Sequence, residues 1–195
     1  MLEIVIGTRN KDKIREIKEL LSDLDIKVYT GFDFPLVTVI EDGDSFVSNS
    51  LKKARIYSDA SGKIALSDDS GLMVYALDGR PGVHSARYAG ENATYKDNIE
   101  KLLREMEGIK DRRAKFVCVV SIVTPEGREY ILSGELHGVI LEEMRGENGF
   151  GYDPVFYIPE LGKTLAEIPL EEKNKISHRA KAFTKAKKIL EGFLK

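Results

Sequence analysis

The sequence predicts an α/β protein with a mixed β-sheet. Strand-like and helix-like segments alternate through the first half of the chain, and two consecutive strand-like segments form a hairpin in the middle. The chain has 195 residues, of which 42% are hydrophobic. This size supports one substantial core rather than a string of domains, so we expect a single domain covering residues 1–195.

Hydrophobic patterning predicts the elements of the first half. Short apolar runs indicate buried strands, and apolar residues at helical spacing indicate helices. The second helix has a candidate N-cap at Asp44 or Ser45. The predicted elements are a strand at Leu2–Ile6, a helix at 12–24, a strand at 26–29, a helix ending near Ser58, and a strand at 64–67. Residues 72–77 extend the pattern of this last strand.

The second half follows the same rules. Thr94 and Asp97 have the spacing of a capping box and predict a helix that ends near residue 107. An almost wholly apolar, β-branched run at 116–123 predicts a central strand. The remaining predicted elements are a return strand at Glu129–Ile140, a glycine-rich loop at 146–154, a strand at 155–158 and a final helix at 177–194.

Composition excludes several classes of protein. Thirty Lys and Arg residues against 32 Asp and Glu residues give a net charge of −2, which argues against a dedicated nucleic-acid binder. No apolar run approaches the roughly 18 residues of a membrane span, and the first residues become charged too soon for a signal peptide. The single cysteine, Cys118, cannot form an internal disulfide. We expect a cytoplasmic protein with no nucleic-acid or membrane partner.

The first motif with chemical potential is a strand-to-helix turn. Backbone N–H groups and the helix dipole favour anions at a helix start, and Thr8, Asn10 and Lys13 add polar and cationic side chains there. This arrangement suits a phosphate chain, whereas the alternative is an ordinary capped turn with solvated lysines. The turn comprises Thr8, Arg9, Asn10, Lys11, Asp12 and Lys13.

The second motif is an acidic segment after an apolar strand. Asp68 and Asp69 are adjacent, and Ser70 follows them. Two neighbouring carboxylates are typical of a site for a hard cation such as Mg²⁺, which uses one or two carboxylates together with phosphate and water. Glu41, in its own acidic turn, is a further candidate ligand. The alternative is a polar turn whose aspartates bond to the backbone.

Two further segments lie in the last quarter of the chain. In the glycine-rich loop, Phe150 could stack on a flat ring and Asp153 could accept hydrogen bonds from ring N–H groups. The alternative is a tight loop with Phe150 and Tyr152 as core residues. Near the last helix, His178 and Arg179 could donate to carbonyl or phosphate oxygens, although a histidine at a helix start is more often a cap or a surface residue.

These segments together resemble the inosine triphosphate pyrophosphatase family nearly from end to end. The matching motifs are T-R-N-K-D-K at 8–13, E-D-G at 41–43, K-A-R at 53–55, S-D-D-S-G-L at 67–72, P-G-V-H-S-A-R-Y-A-G at 81–90, F-G-Y-D-P-V-F at 150–156 and I-S-H-R at 176–179. The resemblance implies an elongated mixed sheet in two lobes, helices packed around it, an active-site cleft between the lobes, and a homodimer.

The family hydrolyses non-canonical purine nucleoside triphosphates (ITP, dITP and XTP) to the monophosphate and pyrophosphate. The resemblance assigns triphosphate binding to the 8–13 turn and Lys53, Mg²⁺ to Glu41 and Asp69, and proton acceptance to Asp69 with support from Asp68. Ser70 should touch the substrate. The residues that the resemblance assigns to the base are Phe150, Gly151, Tyr152, Asp153, Lys173, His178 and Arg179.

One departure from the family pattern concerns the helix after Glu41. The family usually has F-x-E-N-A there, whereas this chain has Ser48 in place of the acid and Ser50 in place of the alanine. The number of carboxylates around the metal is therefore open. Two other functions also remain open: a pyrophosphatase for other modified nucleotides, and a nucleotide-binding sensor without catalysis.

Overall fold

The computed structural model describes all 195 residues and confirms the mixed α/β architecture. It contains seven strands and five helices. The strands are β1 (Leu2–Ile6), β2 (Ile26–Thr30), β3 (Ile64–Val74), β4 (Arg113–Val123), β5 (Glu129–Ile140), β6 (Phe156–Ile158) and β7 (Lys163–Thr164). The helices are α1 (Lys11–Leu20), α2 (Phe46–Ser61), α3 (Tyr95–Glu105), α4 (Leu170–Ile176) and α5 (His178–Phe193).

All seven strands belong to one sheet with the order β2-β1-β3-β4-β5-β6-β7. Strand β1 is parallel to β2, with Ile4 opposite Val28, and parallel to β3, with Ile4 opposite Ile64. At the other end of the order, β5–β6 and β6–β7 are antiparallel pairs. The mixed sheet follows from the helical crossovers of the first half and the hairpin of the second. Strand β4 is fourth of seven, which confirms the predicted central strand.

The chain divides into two compact units. The first comprises Met1–Asp69, Cys118–Gly134 and His178–Lys195, and the second comprises Ser70–Val117 and Glu135–Ser177. The elongated outline, the cleft and the single domain expected from the sequence stay predictions. None of the helices is both long enough and apolar enough to cross a bilayer.

The core of the first unit covers both faces of its strands. Ile4, Ile6 and Leu66 pack with apolar residues of α1 and α5, including Ile17 and Phe183. The alternate residues Val5 and Ala65 pack instead with Tyr57 of α2. Because side chains alternate between the faces of a strand, helices on both sides explain why β1 is apolar throughout.

The second unit has its own core. Leu72 and Val74 of β3 pack in one cluster with Ile99 and Leu102 of α3 and with Phe156 of β6. The predicted capping box is present at the start of α3, where the Thr94 hydroxyl accepts from the Asp97 N–H and the Asp97 carboxylate accepts from the Thr94 N–H. This cap fixes the backbone of the first turn of α3, which begins with Tyr95.

Several predicted boundaries differ from the structure, and one helix was not predicted. Strand β3 continues to Val74 instead of ending at Ser67, so the acidic segment lies inside a strand and not in a turn. Helix α1 ends at Leu20 instead of Leu24, because the next residues form tight turns in which Leu24 N donates to Leu21 O. Helix α4 was missed, since seven residues without a side-chain cap give little periodicity.

Candidate active site

The polar centre of the first unit is built on β3. Glycine at position 7 lets the end of β1 come close to this strand, because a Cβ there would overlap the Ser67 hydroxyl and lie 2.6 Å from the Tyr57 ring. The Gly7 N–H donates to Leu66 O at 2.7 Å. This close approach brings the turn after β1 beside Asp68, as the predicted phosphate and metal motifs require.

Asp68 is buried among cations. Its Oδ2 lies 3.2 Å from Lys13 Nζ and accepts a hydrogen bond from Arg179 Nη2, also at 3.2 Å, and the Cys118 thiol is 3.8 Å away. Burial raises the pKa of Asp68, but the charges of Lys13, Arg179 and Lys53 outweigh it and hold the pKa well below its usual range. Asp68 is therefore a fixed anion. Its other carboxylate oxygen, Oδ1, is buried without a hydrogen-bond partner.

Asp69 has different surroundings. Consecutive side chains of a strand point to opposite faces, and the Asp69 Oδ2 accepts instead from Asn49 Nδ2 on α2 at 3.1 Å. Burial, joined by the nearby charge of Glu41, raises the pKa of Asp69 against the opposing effect of Lys53 and Lys13. Neighbouring carboxyl groups whose pKa values are shifted in opposite directions are typical of an acid–base site.

Glu41 and Lys53 form an ion pair close to Asp69. Lys53 is 7% exposed. Burial lowers its pKa, but Glu41, Asp68 and Asp69 more than compensate, and the net pKa is raised, which keeps the ammonium charged. The sequence therefore correctly indicated that an acidic turn and a lysine of α2 come together with the aspartates of β3.

The metal prediction rests on the chemistry of these donors. No group of three or more His, Cys, Asp or Glu side chains forms a ready-made cage. Glu41 and Asp69 supply carboxylate oxygens, whereas the Asp68 side chain points to the opposite face of β3. Because Mg²⁺ commonly uses one or two carboxylates and completes its shell with phosphate and water, this donor set fits a magnesium ion that binds together with a phosphorylated ligand.

The turn after β1 has a mixed outcome. Asn10 is the N-cap of α1, and its Oδ1 accepts from the N–H groups of Asp12 and Lys13, while Thr8 Oγ1 accepts from Asn10 N. These are the bonds of the capped turn, and they use two of the N–H groups that were predicted to face phosphate. Lys13 nevertheless stands beside Asp68, and Lys11 is exposed.

Arg9 contacts the backbone of its own chain, and its predicted substrate contact stays a prediction. Its guanidinium donates to four backbone carbonyls, those of Gly31, Phe34, Pro35 and Val37, at 2.9–3.1 Å. These four hydrogen bonds hold the segment after β2 in place. Arginine offers five donors, and a carbonyl-rich loop satisfies them as well as a phosphate does.

The second unit holds the residues of the glycine-rich loop and Lys173. Asp153 and Lys173 are each 2% exposed, and Lys173 Nζ lies 2.6 Å from Asp153 Oδ2. The same oxygen accepts from Phe150 N at 3.1 Å. Gly149 has φ +71°, and a Cβ there would overlap this oxygen. Asp153 thus holds the loop and the lysine in place, which differs from its predicted role as an acceptor for ring N–H groups.

Phe150 and Tyr152 of this loop have separate roles. Phe150 is half-buried, and the Lys173 ammonium is 4.8 Å from the centroid of its ring. Tyr152 is 5% exposed and donates to Ser85 O at 2.7 Å. Burial, with the charges of Tyr88 and Glu105, raises the pKa of Tyr152. Tyr152 is therefore a core residue, as the alternative reading of the motif held, while Phe150 and Gly151 are partly accessible.

His178 and Arg179 belong to the first unit. Both are buried at the start of α5, and Arg179 Nη1 donates to Glu16 Oε2 at 2.6 Å in addition to its bond with Asp68. The predicted donation from Arg179 to a base carbonyl is not supported by these two ion pairs. Ser70, the residue after Asp69, is half-buried in β3, so its substrate contact stays a prediction.

Two residues at the centre were missed by the sequence reasoning. Glu16 is fully buried, and Asn49 is 2% exposed and links Asp69 to Gly43, whose N–H donates to Asn49 Oδ1 at 2.8 Å. Helical spacing could have found both. Glu16 lies three residues after Lys13 on α1, and Asn49 lies four residues before Lys53 on α2.

The departures at Ser48 and Ser50 have local explanations. Ser48 completes a capping box with Ser45. The Ser48 hydroxyl therefore helps to cap the first turn of α2, and it adds no carboxylate. The Ser50 and Ser121 hydroxyls are hydrogen-bonded at 2.7 Å between α2 and β4. Residue 48 therefore adds no carboxylate to the acidic set, and the number of carboxylates around the metal stays open.

The fold and these clusters define a class, an α/β protein whose paired aspartates and buried lysines suit the handling of phosphate groups. The model of the Ham1 family matches residues 4–189, and this chain belongs to that family. The resemblance predicted from the motifs is thereby confirmed.

Individual relatives cover nearly the whole chain. The dITP/XTP pyrophosphatase of Geobacter sulfurreducens is 51% identical over 185 residues, which are 93% of this chain and 93% of the relative. That of Geobacillus kaustophilus is 49% identical over 188 residues, covering 95% and 92%. The solved structure of a HAM1 protein from Coxiella burnetii is 43% identical, has a TM-score of 0.91, and matches 98% of this chain and 100% of its own.

Proposed function

We propose that this chain hydrolyses non-canonical purine nucleoside triphosphates, such as ITP, dITP and XTP, to the nucleoside monophosphate and pyrophosphate. The observation that carries the proposal is the Asp68–Asp69 pair, with its opposite pKa shifts, among Lys13, Lys53 and Glu41. The relatives named dITP/XTP pyrophosphatase support the substrate class.

The first unit supplies the hydrolytic groups. Asp69 accepts the proton of the attacking water, as a carboxylate next to the phosphate-binding lysines can. Asp68 stays ionised and holds Lys13 in position. Lys13 and Lys53, with Thr8 and Asn10, bind the phosphates and stabilise the charge that develops on the leaving pyrophosphate.

We propose Mg²⁺ as the cofactor, held by the carboxylates of Glu41 and Asp69. When bound, the ion neutralises part of the negative charge of the triphosphate. Chelation with EDTA should abolish turnover, and Mg²⁺ should restore it. Isothermal calorimetry with Mg²⁺ and a non-hydrolysable nucleotide gives a second readout, in which Glu41→Gln should weaken metal binding.

The glycine-rich loop and Lys173 supply base recognition. Phe150 stacks on the base, and Lys173, held by Asp153, donates to a carbonyl of hypoxanthine or xanthine. Adenine presents an amine where these bases present the 6-carbonyl, so a buried donor would lose its acceptor, and such a mismatch can reject a ligand by several orders of magnitude. Gly151, Ser70 and His178 remain proposed contacts of the substrate.

A panel of triphosphates tests the proposal. ITP, dITP, XTP, GTP, ATP, CTP and UTP are incubated with enzyme and Mg²⁺, and the products are separated as monophosphate with pyrophosphate or diphosphate with phosphate. We expect pyrophosphate from ITP and XTP and little from ATP. Preference for a pyrimidine would favour another modified nucleotide, and tight binding without turnover would favour a sensor.

The assembly and location follow the family resemblance. We propose a homodimer, which light scattering coupled to gel filtration would detect as a mass of twice 21.8 kDa. A monomeric mass at micromolar concentration would contradict it. We also propose a cytoplasmic location, which the single, unpaired and buried Cys118 supports.

A further inference from the structure

An exposed tyrosine lies beside the proposed base-binding phenylalanine. The ring centroids of Tyr95 and Phe150 are 5.8 Å apart, with an interplanar angle of 46°. Tyr95 is 43% exposed and is one of the large hydrophobic side chains at the surface of the chain. No sequence motif pointed to this residue, and it is absent from the roles assigned above.

The position of Tyr95 on α3 is well defined. It is the first residue after the Thr94 cap, and it shares the helical stripe of Asn98, Ile99 and Leu102, all of which are buried. The stripe therefore continues to Tyr95 at the start of the helix, where the ring of Tyr95 leaves the buried core and lies beside Phe150. The capping box holds the backbone of Tyr95 in place. The Tyr95 ring therefore has a defined position beside the Phe150 ring.

The chemistry of this surface suits a purine. Lys173 Nζ is 4.8 Å from the centre of the Phe150 ring, so part of that ring is already occupied by a cation–π contact. A purine has two fused rings and offers more stacking area than one partly occupied phenyl ring covers. Stacking of a base on an aromatic side chain is favourable and independent of hydrogen bonding.

We propose that Tyr95 is a second aromatic contact for the purine base, beside Phe150, and that it contributes to base affinity in this chain. The proposal rests on the proposed function. It assigns Tyr95 to binding alone, so its loss raises KM and leaves kcat unchanged. It also makes the contribution depend on a base, because the aromatic neighbour of Tyr95 is the proposed base-binding Phe150.

The test compares three variants of Tyr95 with a matched control. Tyr95→Ala removes the ring, Tyr95→Leu keeps an apolar side chain without stacking, and Tyr95→Phe keeps the ring. Tyr75→Ala is the control, because Tyr75 is a similarly exposed tyrosine of the same unit, 46% exposed, whose ring contacts only the Arg113 guanidinium among charged or aromatic neighbours. Thermal unfolding by circular dichroism checks that every variant is folded.

Steady-state kinetics with ITP and inhibition by tripolyphosphate, which has no base, are the readouts. We expect Tyr95→Ala and Tyr95→Leu to raise KM for ITP about tenfold with kcat retained, and Tyr95→Phe and Tyr75→Ala to match the wild type. The inhibition constant of tripolyphosphate should be the same in all five proteins.

Each contrary result has a distinct meaning. An unchanged KM in Tyr95→Ala overturns the proposal, and so does an equal weakening of tripolyphosphate binding, which would indicate a general disturbance. If the wild type releases no pyrophosphate from ITP, the proposed function fails by itself. Calorimetric binding of ITP to wild type and Tyr95→Ala then still decides whether Tyr95 contacts a base, and equal dissociation constants would refute it.

Discussion

Neighbouring aspartates in β3 have opposite electrostatic surroundings because a strand directs them to different faces. Asp68 meets Lys13 and Arg179, whereas Asp69 meets Asn49 and lies near the charge of Glu41. The sequence shows two identical residues side by side. Only the burial and the partners of each, which come from segments far away in the chain, separate a fixed anion from a group that can take a proton.

Asp69→Asn should therefore abolish pyrophosphate release and leave the fold intact. The amide keeps an oxygen that can accept from Asn49, but it cannot accept a proton from water. Pyrophosphate release from ITP and the thermal midpoint are the measurements. Asp59→Asn, on α2 and exposed, is the control. Normal turnover of the Asp69→Asn protein would show that the base has been assigned wrongly.

The Glu16–Arg179 pair is the other prominent feature at this scale. Both side chains are almost fully buried, and Arg179 bridges Glu16 and Asp68. Removal of one partner leaves an uncompensated charge in the interior. Glu16→Ala should lower the free energy of unfolding by about 3–5 kcal/mol.

Urea denaturation measures this effect. Glu19→Ala, on the exposed side of the same helix, should change stability by less than about 0.5 kcal/mol. Equal midpoints for the two variants would mean that the pair does not stabilise the fold.

At the scale of elements, predictions succeeded where the signal is local. The N-cap at Ser45, the capping box at Thr94 and the hairpin strand Glu129–Ile140 depend on residues a few positions apart. The extent of β3 was missed because Ser67, Asp68 and Asp69 look like a polar turn. Their burial is made possible by partners as distant as Arg179, and no local pattern records such partners.

Helix α5 is placed by a close contact with β5. A Cβ at Gly134 would overlap His178 O and lie 2.7 Å from Ala182 N. These are backbone atoms, which cannot move without moving the helix. Gly134→Ala should therefore destabilise the protein by about 1–3 kcal/mol and lower activity, because Arg179 is in the first turn of α5.

Gly192→Ala provides a control on the same helix. A Cβ at Gly192 would meet nothing within 4 Å, so this substitution should be neutral or stabilise by about 0.5 kcal/mol. Thermal unfolding and kcat for ITP are compared in both variants. A Gly134→Ala protein with the stability and activity of the wild type would refute the close contact.

At the scale of the whole molecule, Cys118 reports on unfolding. It is fully buried in β4 and is the one cysteine of the chain. Burial and the charge of Asp68 raise the pKa of its thiol, against the opposing effect of Arg179 and Lys13. A thiol that is both buried and protonated at neutral pH does not react.

Labelling by a thiol reagent at pH 8 should be at least about 1000-fold slower in the native protein than in the unfolded chain. Nucleotide with Mg²⁺ should slow it further if binding stabilises the native state. The measurement is the release of a chromophore from an aromatic disulfide reagent, with denaturant-treated protein as the reference. Rapid stoichiometric labelling of native protein would contradict the buried position.

The candidate site was predicted in part. Asp68, Asp69, Glu41, Lys13 and Lys53 come together as the motifs indicated. The sequence could not show that Arg9 binds a backbone loop or that Tyr152 is a core residue, because both outcomes depend on which partners the folded chain brings near. Family motifs identify which residues matter, whereas tertiary contacts decide what each one does.

The division of the chain into two units has a consequence for recombination between genes. The chain passes from one unit to the other after Asp69, Val117, Gly134 and Ser177, so neither unit is encoded by one uninterrupted stretch. A single recombination event between genes cannot exchange one unit for another. Replacement of either unit as a module requires crossovers at several of these four boundaries.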